Sequence, residues 1–231
     1  MATPVILILG VGPRIGSSVA ENFASQGYKV AVASRKGEGK INEKGYLSIK
    51  ADFTDPQSIA PAFDAVKAEF GTAPSVVIYN AATLTPPPIQ DSALSIPSER
   101  VASDLIVNTV SPYVAAQQAL SAWETLPKET KKTFIYTGNA MGTNIIPVPL
   151  MLNLGIGKSA SSFWVGVADI TYAARGIRFF YADERHDDGK FKGMAVDGPA
   201  HGEFYALLAK QEEKIPWHAT FVKGKGYVEF K

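Results

Sequence analysis

Short β-branched runs alternate with longer helical segments along the whole chain. This alternation, without internal repeats, predicts right-handed β–α–β units that build a parallel sheet with helices on both faces. The runs at 5–9, 75–79 and 177–181 are almost entirely apolar, which is typical of strands buried on both faces. We therefore expect a three-layer, doubly wound α/β fold with about seven parallel strands. The predicted strands are Val5–Leu9, Lys29–Ala33, Leu47–Lys50, Ser75–Tyr79, Thr133–Thr137, Ile177–Tyr181 and Ala219–Val222, and the predicted helices are Ile15–Ser25, Pro56–Phe70, Glu99–Thr125, Gly155–Arg175 and Gly202–Lys214.

Length and charge narrow the function classes. The 231 residues fit one domain, predicted over 1–231, with loops at about 83–97 and 183–201 above the carboxyl edge of the sheet. The 23 basic and 22 acidic side chains leave a net charge of +1, so we expect no nucleic-acid partner and no membrane-surface binding through bulk charge. No apolar run is long enough to span a bilayer, so a cytoplasmic location is expected. Cysteine is absent and the three histidines are widely spaced, so no metal site is expected.

A glycine-rich turn follows the first predicted strand and opens the first predicted helix. Gly10, Gly12 and Gly16 allow a tight turn and the close approach of a pyrophosphate, which would face the free N–H groups at the start of the helix. A plain tight turn between strand and helix is the alternative. The position at the first strand–helix junction favours a dinucleotide site.

Two further positions bear on which dinucleotide is bound. Ser34, Arg35 and Lys36 follow the second strand, where an NAD-binding protein usually has a carboxylate for the ribose 2′-hydroxyl. A basic pair there suits a 2′-phosphate and favours NADP(H) over NAD(H), although two cations can also simply solvate a loop. Asp52 follows the third strand, where it can accept a hydrogen bond from the adenine amine or cap a turn.

Together these segments resemble the short-chain dehydrogenase/reductase (SDR) family over nearly the whole chain. The loop 10–16 is similar to the family's TGxxxGxG, residues 79–82 resemble its NNAG, and Asp52 matches its adenine-contacting Asp. Asn108 matches the Asn of its long fourth helix, and Lys158 the Lys of its YxxxK. The resemblance implies a Rossmann-type fold, a nicotinamide cofactor and usually an oligomer. The predicted cofactor-binding residues are Gly10, Gly12, Arg14, Ile15, Gly16, Ser34, Arg35, Lys36, Asp52, Phe53, Asn80, Ala81, Ala82 and Lys158.

The chain departs from the family's pattern at several places, among them Leu9, which replaces the Thr before the first glycine. Leu154 stands where the family has its proton-donating Tyr, and Asn139 corresponds best to the Ser that polarises the substrate carbonyl. Arg14 takes the second glycine position of the loop, so it either helps to bind phosphate or obstructs it. Residues 184–185 are Glu-Arg instead of the Pro-Gly that grips the nicotinamide amide. The predicted catalytic residues are Lys158, Asn108 and Asn139.

Without the Tyr, three hypotheses remain. Leu154 has no proton to give, and Asn139 can only donate a hydrogen bond to an oxyanion. In the first, which we rank highest, the chain is an NADP(H)-dependent oxidoreductase with another proton source. In the second, the reaction needs no such proton, as in reduction of an iminium or activated alkene, or in a non-redox isomerisation or cyclisation. In the third, the chain is a catalytically silent, dinucleotide-bound binding or regulatory module. The candidate donors are Lys158, a water held by Asn108 and Lys158, Asp183 and His186.

The predicted substrate cleft is mostly apolar. Its lining favours a small hydrophobic or aromatic substrate such as a carbonyl compound, an imine or an enone, although part of this lining can instead pack inward. The predicted pocket residues are Leu84, Met141, Asn144 and Leu154.

Two predicted helices, at about 99–125 and 155–175, carry few charges. A helix on the outer face of a sheet should show a charged stripe, so a second apolar face on each must be covered. The SDR resemblance implies that these helices pair across a twofold axis, and we expect a homodimer or homotetramer. A monomer with apolar helices buried under its own loops is the alternative. Pro112 lies inside the first of these helices and should kink it.

Overall fold

The computed structural model describes residues 3–230 and contains one nine-stranded sheet between two layers of helices. The strands are β1 (Val5–Leu9), β2 (Lys29–Ser34), β3 (Lys40–Ile41), β4 (Leu47–Lys50), β5 (Val76–Tyr79), β6 (Lys132–Thr137), β7 (Ile177–Glu184), β8 (His218–Val222) and β9 (Gly226–Tyr227). The helices are α1 (Ile15–Ser25), α2 (Ile59–Phe70), α3 (Ser98–Leu105), α4 (Ser111–Trp123), α5 (Leu152–Tyr172) and α6 (Gly198–Lys210). The strand order is β3-β4-β2-β1-β5-β6-β7-β8-β9.

The predicted three-layer, doubly wound α/β fold is confirmed. All seven predicted strands are present and pair in parallel, and the sheet has two further strands, β3 and β9, that pair antiparallel at its edges. Each has only two residues, which is too short to show a hydrophobic period. Residues 1, 2 and 231 of the predicted domain lie outside the described residues.

The core lies on both faces of the sheet. All five residues of β1 are buried, and alternate side chains point to opposite faces. Leu7 and Leu9 pack with α2, α4 and α5 on one face, whereas Ile6 and Ile8 pack with α1 and α6 on the other. Two covered faces explain why the central strands are continuous apolar runs.

The segment 183–201 differs from the predicted loop. Asp183 and Glu184 are buried residues of β7, and α6 begins at Gly198, four residues before the predicted start. Asp197 caps α6 by accepting a hydrogen bond from the N–H of Ala200. The prediction assigned the charged residues at the end of the strand to a loop. In the structure, the segment that connects β7 to α6 is only 185–197.

The helix predicted over 99–125 is divided into α3, a π-helical turn at Ile106–Val110, and α4. The interruption precedes Pro112, which lies in the first turn of α4, where a missing N–H costs little. The freed carbonyls find side-chain donors: the Tyr79 hydroxyl donates to Val107 O over 2.7 Å, and the Tyr136 hydroxyl donates to Asn108 O over 2.8 Å. The helix is thus disturbed next to Pro112, as predicted. The disturbance is a π-helical turn whose carbonyls accept hydrogen bonds from tyrosines of β5 and β6.

Candidate dinucleotide site and catalytic residues

A cleft of about 390 Å³ lies at the carboxyl ends of β1, β2, β4 and β5. Gly10 has φ of +100°, and a Cβ there would lie 2.4 Å from the backbone N of Ala81. A Cβ at Gly12 would meet nothing within 4 Å, so this backbone is open to the cleft that it lines. The Asn80 side chain donates to Gly10 O over 2.7 Å and holds the turn against β5. The residues fit an anionic ligand that lies close to the backbone at the start of α1.

The far end of the cleft is lined by Ser34, Arg35 and Asp52. Asp52 accepts hydrogen bonds from the backbone N–H and the hydroxyl of Thr54, which lower the pKa of its carboxyl group. Arg35 is exposed there, whereas Lys36 does not line the cleft. The predicted cofactor-binding residues that do line it are Gly10, Gly12, Ser34, Arg35, Asp52, Phe53, Asn80, Ala81 and Ala82.

Five of the predicted cofactor-binding residues lie outside the lining of this cleft: Arg14, Ile15, Gly16, Lys36 and Lys158. The guanidinium of Arg14 donates to Met194 O over 2.9 Å, so its side chain contacts the segment between β7 and α6. Arg14 therefore does not fill the hollow beside Gly10 and Gly12. Gly16 is buried, and a Cβ there would lie 2.7 Å from Val11 Cα, so it serves the packing of the turn.

Three tyrosines at matching positions of adjacent strands stack below the predicted catalytic residues. The rings of Tyr79 and Tyr136 lie 6.0 Å apart, and those of Tyr136 and Tyr181 lie 5.5 Å apart. The Tyr181 hydroxyl donates to Asn139 O over 2.9 Å and accepts from Asn139 N. The Asn139 side chain accepts from Met141 N over 3.0 Å and caps a short 3-10 turn. Tyr181 thus fixes the backbone of the segment that carries Asn139.

Lys158 of α5 is buried over this stack. Its ammonium donates to Thr137 O over 2.7 Å and lies 4.4 Å from the centre of the Tyr136 ring. Burial lowers the pKa of Lys158 to about 7, an effect that the nearby Asp183 carboxylate opposes. Such a group exchanges a proton readily near neutral pH.

Asn108, in the π-helical turn, is fully buried and is bound to the loop that follows β5. Its amide group donates to Thr83 O over 2.9 Å and accepts from Thr83 N over 3.0 Å. One turn earlier, Asp104 accepts from both the backbone N–H and the hydroxyl of Thr85, and from the Asn153 amide. The two side chains pin the start of the loop 83–97 to α3 and α5.

The predicted pocket residues differ in burial and surroundings. Met141 is buried, and its sulfur lies 3.6 Å from where a Cβ on Gly155 would be. Leu84 and Leu154 are half-buried. Asn144 lines a different cavity, next to β8.

A buried charged cluster at the end of β7 was not predicted as a group. The fully buried Asp183 pairs with Arg185 at 2.6 Å. On the opposite face of the sheet, Glu184 accepts from Asp197 N over 2.7 Å and lies 3.4 Å from Nδ1 of His201. Burial lowers the pKa of His201 despite these neighbours. The sequence signal was present, since six consecutive ionisable residues (183–188) follow an apolar run, but its usual meaning is an exposed loop.

Residues 3–230 contain neither a membrane-spanning helix nor a cluster of metal ligands. No helix in this range combines the length and apolar character that crossing a bilayer requires. Within the same range, no group of three or more His, Asp or Glu side chains is arranged to hold a metal ion.

The family model and the relatives that match this sequence are described as reductases or oxidoreductases. A family model described as enoyl-(acyl carrier protein) reductase matches residues 10–179. The short chain dehydrogenase/reductase dmxR12 of Cryptosporiopsis sp. (strain 8999) is 37% identical over 240 residues, covering 100% of this chain and 96% of that protein. An uncharacterized oxidoreductase of Caenorhabditis elegans is 35% identical over 89 residues, covering 34% of this chain and 28% of that protein.

Solved structures share the fold. A double mutant of a Serratia marcescens short-chain dehydrogenase/reductase matches with a TM-score of 0.78 and 20% identity, covering 96% of this chain and 97% of that chain. A metagenomic short-chain oxidoreductase in complex with NADP matches with a TM-score of 0.76 and 17% identity, covering 96% of this chain and 98% of that chain. At these identities the likeness concerns the fold alone.

Proposed function

Because the chain belongs to the short-chain dehydrogenase/reductase family, we propose that it is an NADP(H)-dependent oxidoreductase with a proton source other than the family's Tyr. The observation that carries the proposal is the cleft, in which Gly12 presents an open backbone next to Gly10 and Arg35 lines the end reached by β2. A bound nicotinamide cofactor supplies a hydride. Gly10, Gly12 and Asn80 would hold its pyrophosphate side, and Ser34, Arg35 and Asp52 its adenosine side.

Lys158 is the proposed proton source. Its ammonium is withdrawn from water, its pKa is about 7, and Asn139 lies beyond the same strand end, β6, whose Thr137 carbonyl accepts from Lys158. Asn139 would stabilise developing negative charge by hydrogen bonding. Asn108 acts by positioning the loop at Thr83, because both atoms of its amide group are occupied there.

The proposed substrate is a small hydrophobic carbonyl compound, imine or enone. Exposed apolar side chains lie on the segments around the carboxyl edge of the sheet, among them Leu94, Ile145 and Met194. The matching family model, described as enoyl-(acyl carrier protein) reductase, supports keeping enones among the candidates. Apolar walls with few polar groups suit such molecules better than sugars or phosphates.

Substitutions of two neighbouring cationic residues, Arg35 and Lys36, test the cofactor preference. Arg35 lines the cleft and Lys36 does not. We expect NADPH to bind at least tenfold more tightly than NADH, and Arg35→Ala to remove most of that difference because it removes a charged partner of the 2′-phosphate. Lys36→Ala is the matched control and should change the affinity less than twofold. Fluorescence titration with both reduced cofactors measures this, and equal affinities of the wild type for the two would contradict the proposal.

A second candidate function is a catalytically silent module that binds the dinucleotide. Two observations favour this candidate. The Lys158 ammonium already has an acceptor in Thr137 O, and the Leu154 side chain has no proton to donate. NADPH oxidation against ketones, imines and enones separates the two candidates. Turnover of any of these supports the oxidoreductase, and NADPH binding without turnover supports the silent module. Leu154→Tyr should then introduce weak carbonyl reduction if the remaining site is competent.

A further inference from the structure

A second cavity lies beside β8 and β9, at one lateral edge of the sheet, whereas the dinucleotide cleft lies at β1, β2, β4 and β5. Its volume is about 400 Å³, within the range of small-molecule sites. His218 and Thr220 of β8 line one side of it. Other sides are formed by residues from the turn after β7 (185–189), the segment after β8 (227–230) and the loop after β6 (143–144). Four separate parts of the chain therefore converge on this cavity.

One wall is aromatic and closely fitted. Gly189 has φ of +78°, and a Cβ there would lie 2.8 Å from the ring of Phe230. The glycine therefore lets the ring pack against the turn after β7. Tyr227 of β9 also lines the cavity. Aromatic rings such as these offer faces against which a planar ligand can pack.

His218 connects the cavity to the buried Asp183 carboxylate. Its Nε2 lies 3.5 Å from Oδ2 of the fully buried Asp183, and both Nε2 of His218 and Oδ1 of Asp183 are buried without a hydrogen-bond partner in residues 3–230. A carboxylate can only accept, so the hydrogen of a neutral ring belongs on Nε2. That tautomer leaves Nδ1 as an acceptor on a side chain that is still 24% exposed.

The other polar groups of the cavity restrict the ligand further. Arg185 has committed its guanidinium to Asp183 and to Gly189 O, so it has little capacity to bind an anion. Glu229 adds negative charge to the lining, and Asp188 adds a carboxylate that pairs with Lys190 at 2.7 Å. A ligand that donates a hydrogen bond and carries no negative charge fits these groups.

We propose that this cavity binds a small, uncharged aromatic compound with a hydroxyl group, which donates to Nδ1 of His218 while the nearby Asp183 carboxylate keeps the ring hydrogen on Nε2. The site is separate from the dinucleotide cleft and goes beyond the proposed function, since it does not depend on hydride transfer. Its occupant is a phenol-like molecule that lies against Tyr227 and Phe230.

Fluorine NMR of 4-fluorophenol tests the site in the full-length protein, with and without saturating NADPH. We expect saturable binding under both conditions, and at least fivefold weaker binding of 4-fluoroanisole, which lacks the donor, and of 4-fluorobenzoate, which is an anion. His218→Asn should weaken 4-fluorophenol binding about fivefold, the size of one hydrogen bond. His186→Asn is the matched control, because His186 is exposed and does not line this cavity.

Phe230→Ala provides an independent variant in case His218→Asn does not fold, and it should weaken all three aromatic probes alike. The proposal is overturned if 4-fluorophenol does not bind, if the anisole binds equally well, or if both variants retain wild-type affinity. NADPH affinity, measured on the same samples, reports separately on the dinucleotide cleft. If the wild-type protein binds 4-fluorophenol but not NADPH, the proposed function is contradicted and this site is supported.

Discussion

Single residues in this chain combine roles that sequence motifs treat separately. Lys158 matches a family motif and was predicted as catalytic, and the structure places it in a fully buried position with a carbonyl acceptor and an aromatic ring beside it. Asn108 was predicted for the same site, and its side chain binds the loop at Thr83. A motif identifies the residue type at a position, but the partner that takes up its hydrogen bonds depends on distant parts of the chain.

Lys158 should leave a pH signature in the stability of the protein. Its pKa in the folded chain is about 7, below the ordinary value of 10.5, so between these values the unfolded chain binds a proton that the folded chain does not. Folding therefore pays the full cost of this group below about pH 7, and stability rises with pH until the cost disappears near pH 10.5.

Lys158→Met should accordingly be more stable than the wild type at pH 7, and the difference should shrink as the pH rises towards 10. The slope reaches at most about 1.4 kcal/mol per pH unit, because one proton is involved. Urea unfolding at several pH values measures the effect. Lys67→Met, on the exposed side of α2, is the control and should show no such trend. A difference that is constant between pH 7 and 10 would refute the explanation.

At the scale of helices and strands, periodicity was sufficient where an element is long and regular. The predicted bounds of β1, β4 and α1 agree with the structure because their ends coincide with Gly-rich or charged turns. Periodicity was insufficient for the start of α6 and for the end of β7. Buried charged residues interrupt the apolar pattern at the end of β7. The π-helical turn before Pro112 could not be predicted, since it depends on hydroxyl groups from β5 and β6 that reach the helix only in the fold.

Tyr79→Phe tests how much the sheet stabilises that turn. Val107 O accepts from the Tyr79 hydroxyl, and Pro112 cannot donate to it, so removing the hydroxyl leaves a buried carbonyl without this partner. We expect a loss of about 1–3 kcal/mol in the free energy of unfolding. Tyr28→Phe removes a hydroxyl from a half-buried ring that packs edge to face on Phe23, and should cost less. Equal losses in chemical denaturation would show that the Tyr79 bond contributes nothing specific.

At the scale of the whole molecule, the outer surface of α5 is unusually apolar for the exposed side of a helix. Ile156, Phe163, Val167 and Ile170 recur at helical spacing, and Phe163 and Ile170 are each 76% exposed. Tyr113 of α4 adds a half-exposed ring. Contiguous apolar surface of this kind usually marks an interaction site. We propose that it belongs to the homodimer or homotetramer expected from the sequence, in which two copies of the same face would meet across a twofold axis.

Ile170→Asp should therefore dissociate the oligomer. We expect the wild type to sediment as a dimer or tetramer at micromolar concentration and the variant as a monomer, because the substitution places an unpaired charge within the buried contact. Leu94→Asp is the matched control: Leu94 is 88% exposed, but it lies on the loop after β5 and is not part of the apolar face of α5, so this variant should sediment like the wild type. A wild-type monomer at every concentration would contradict the assignment, and dissociation by both variants would place the contact elsewhere.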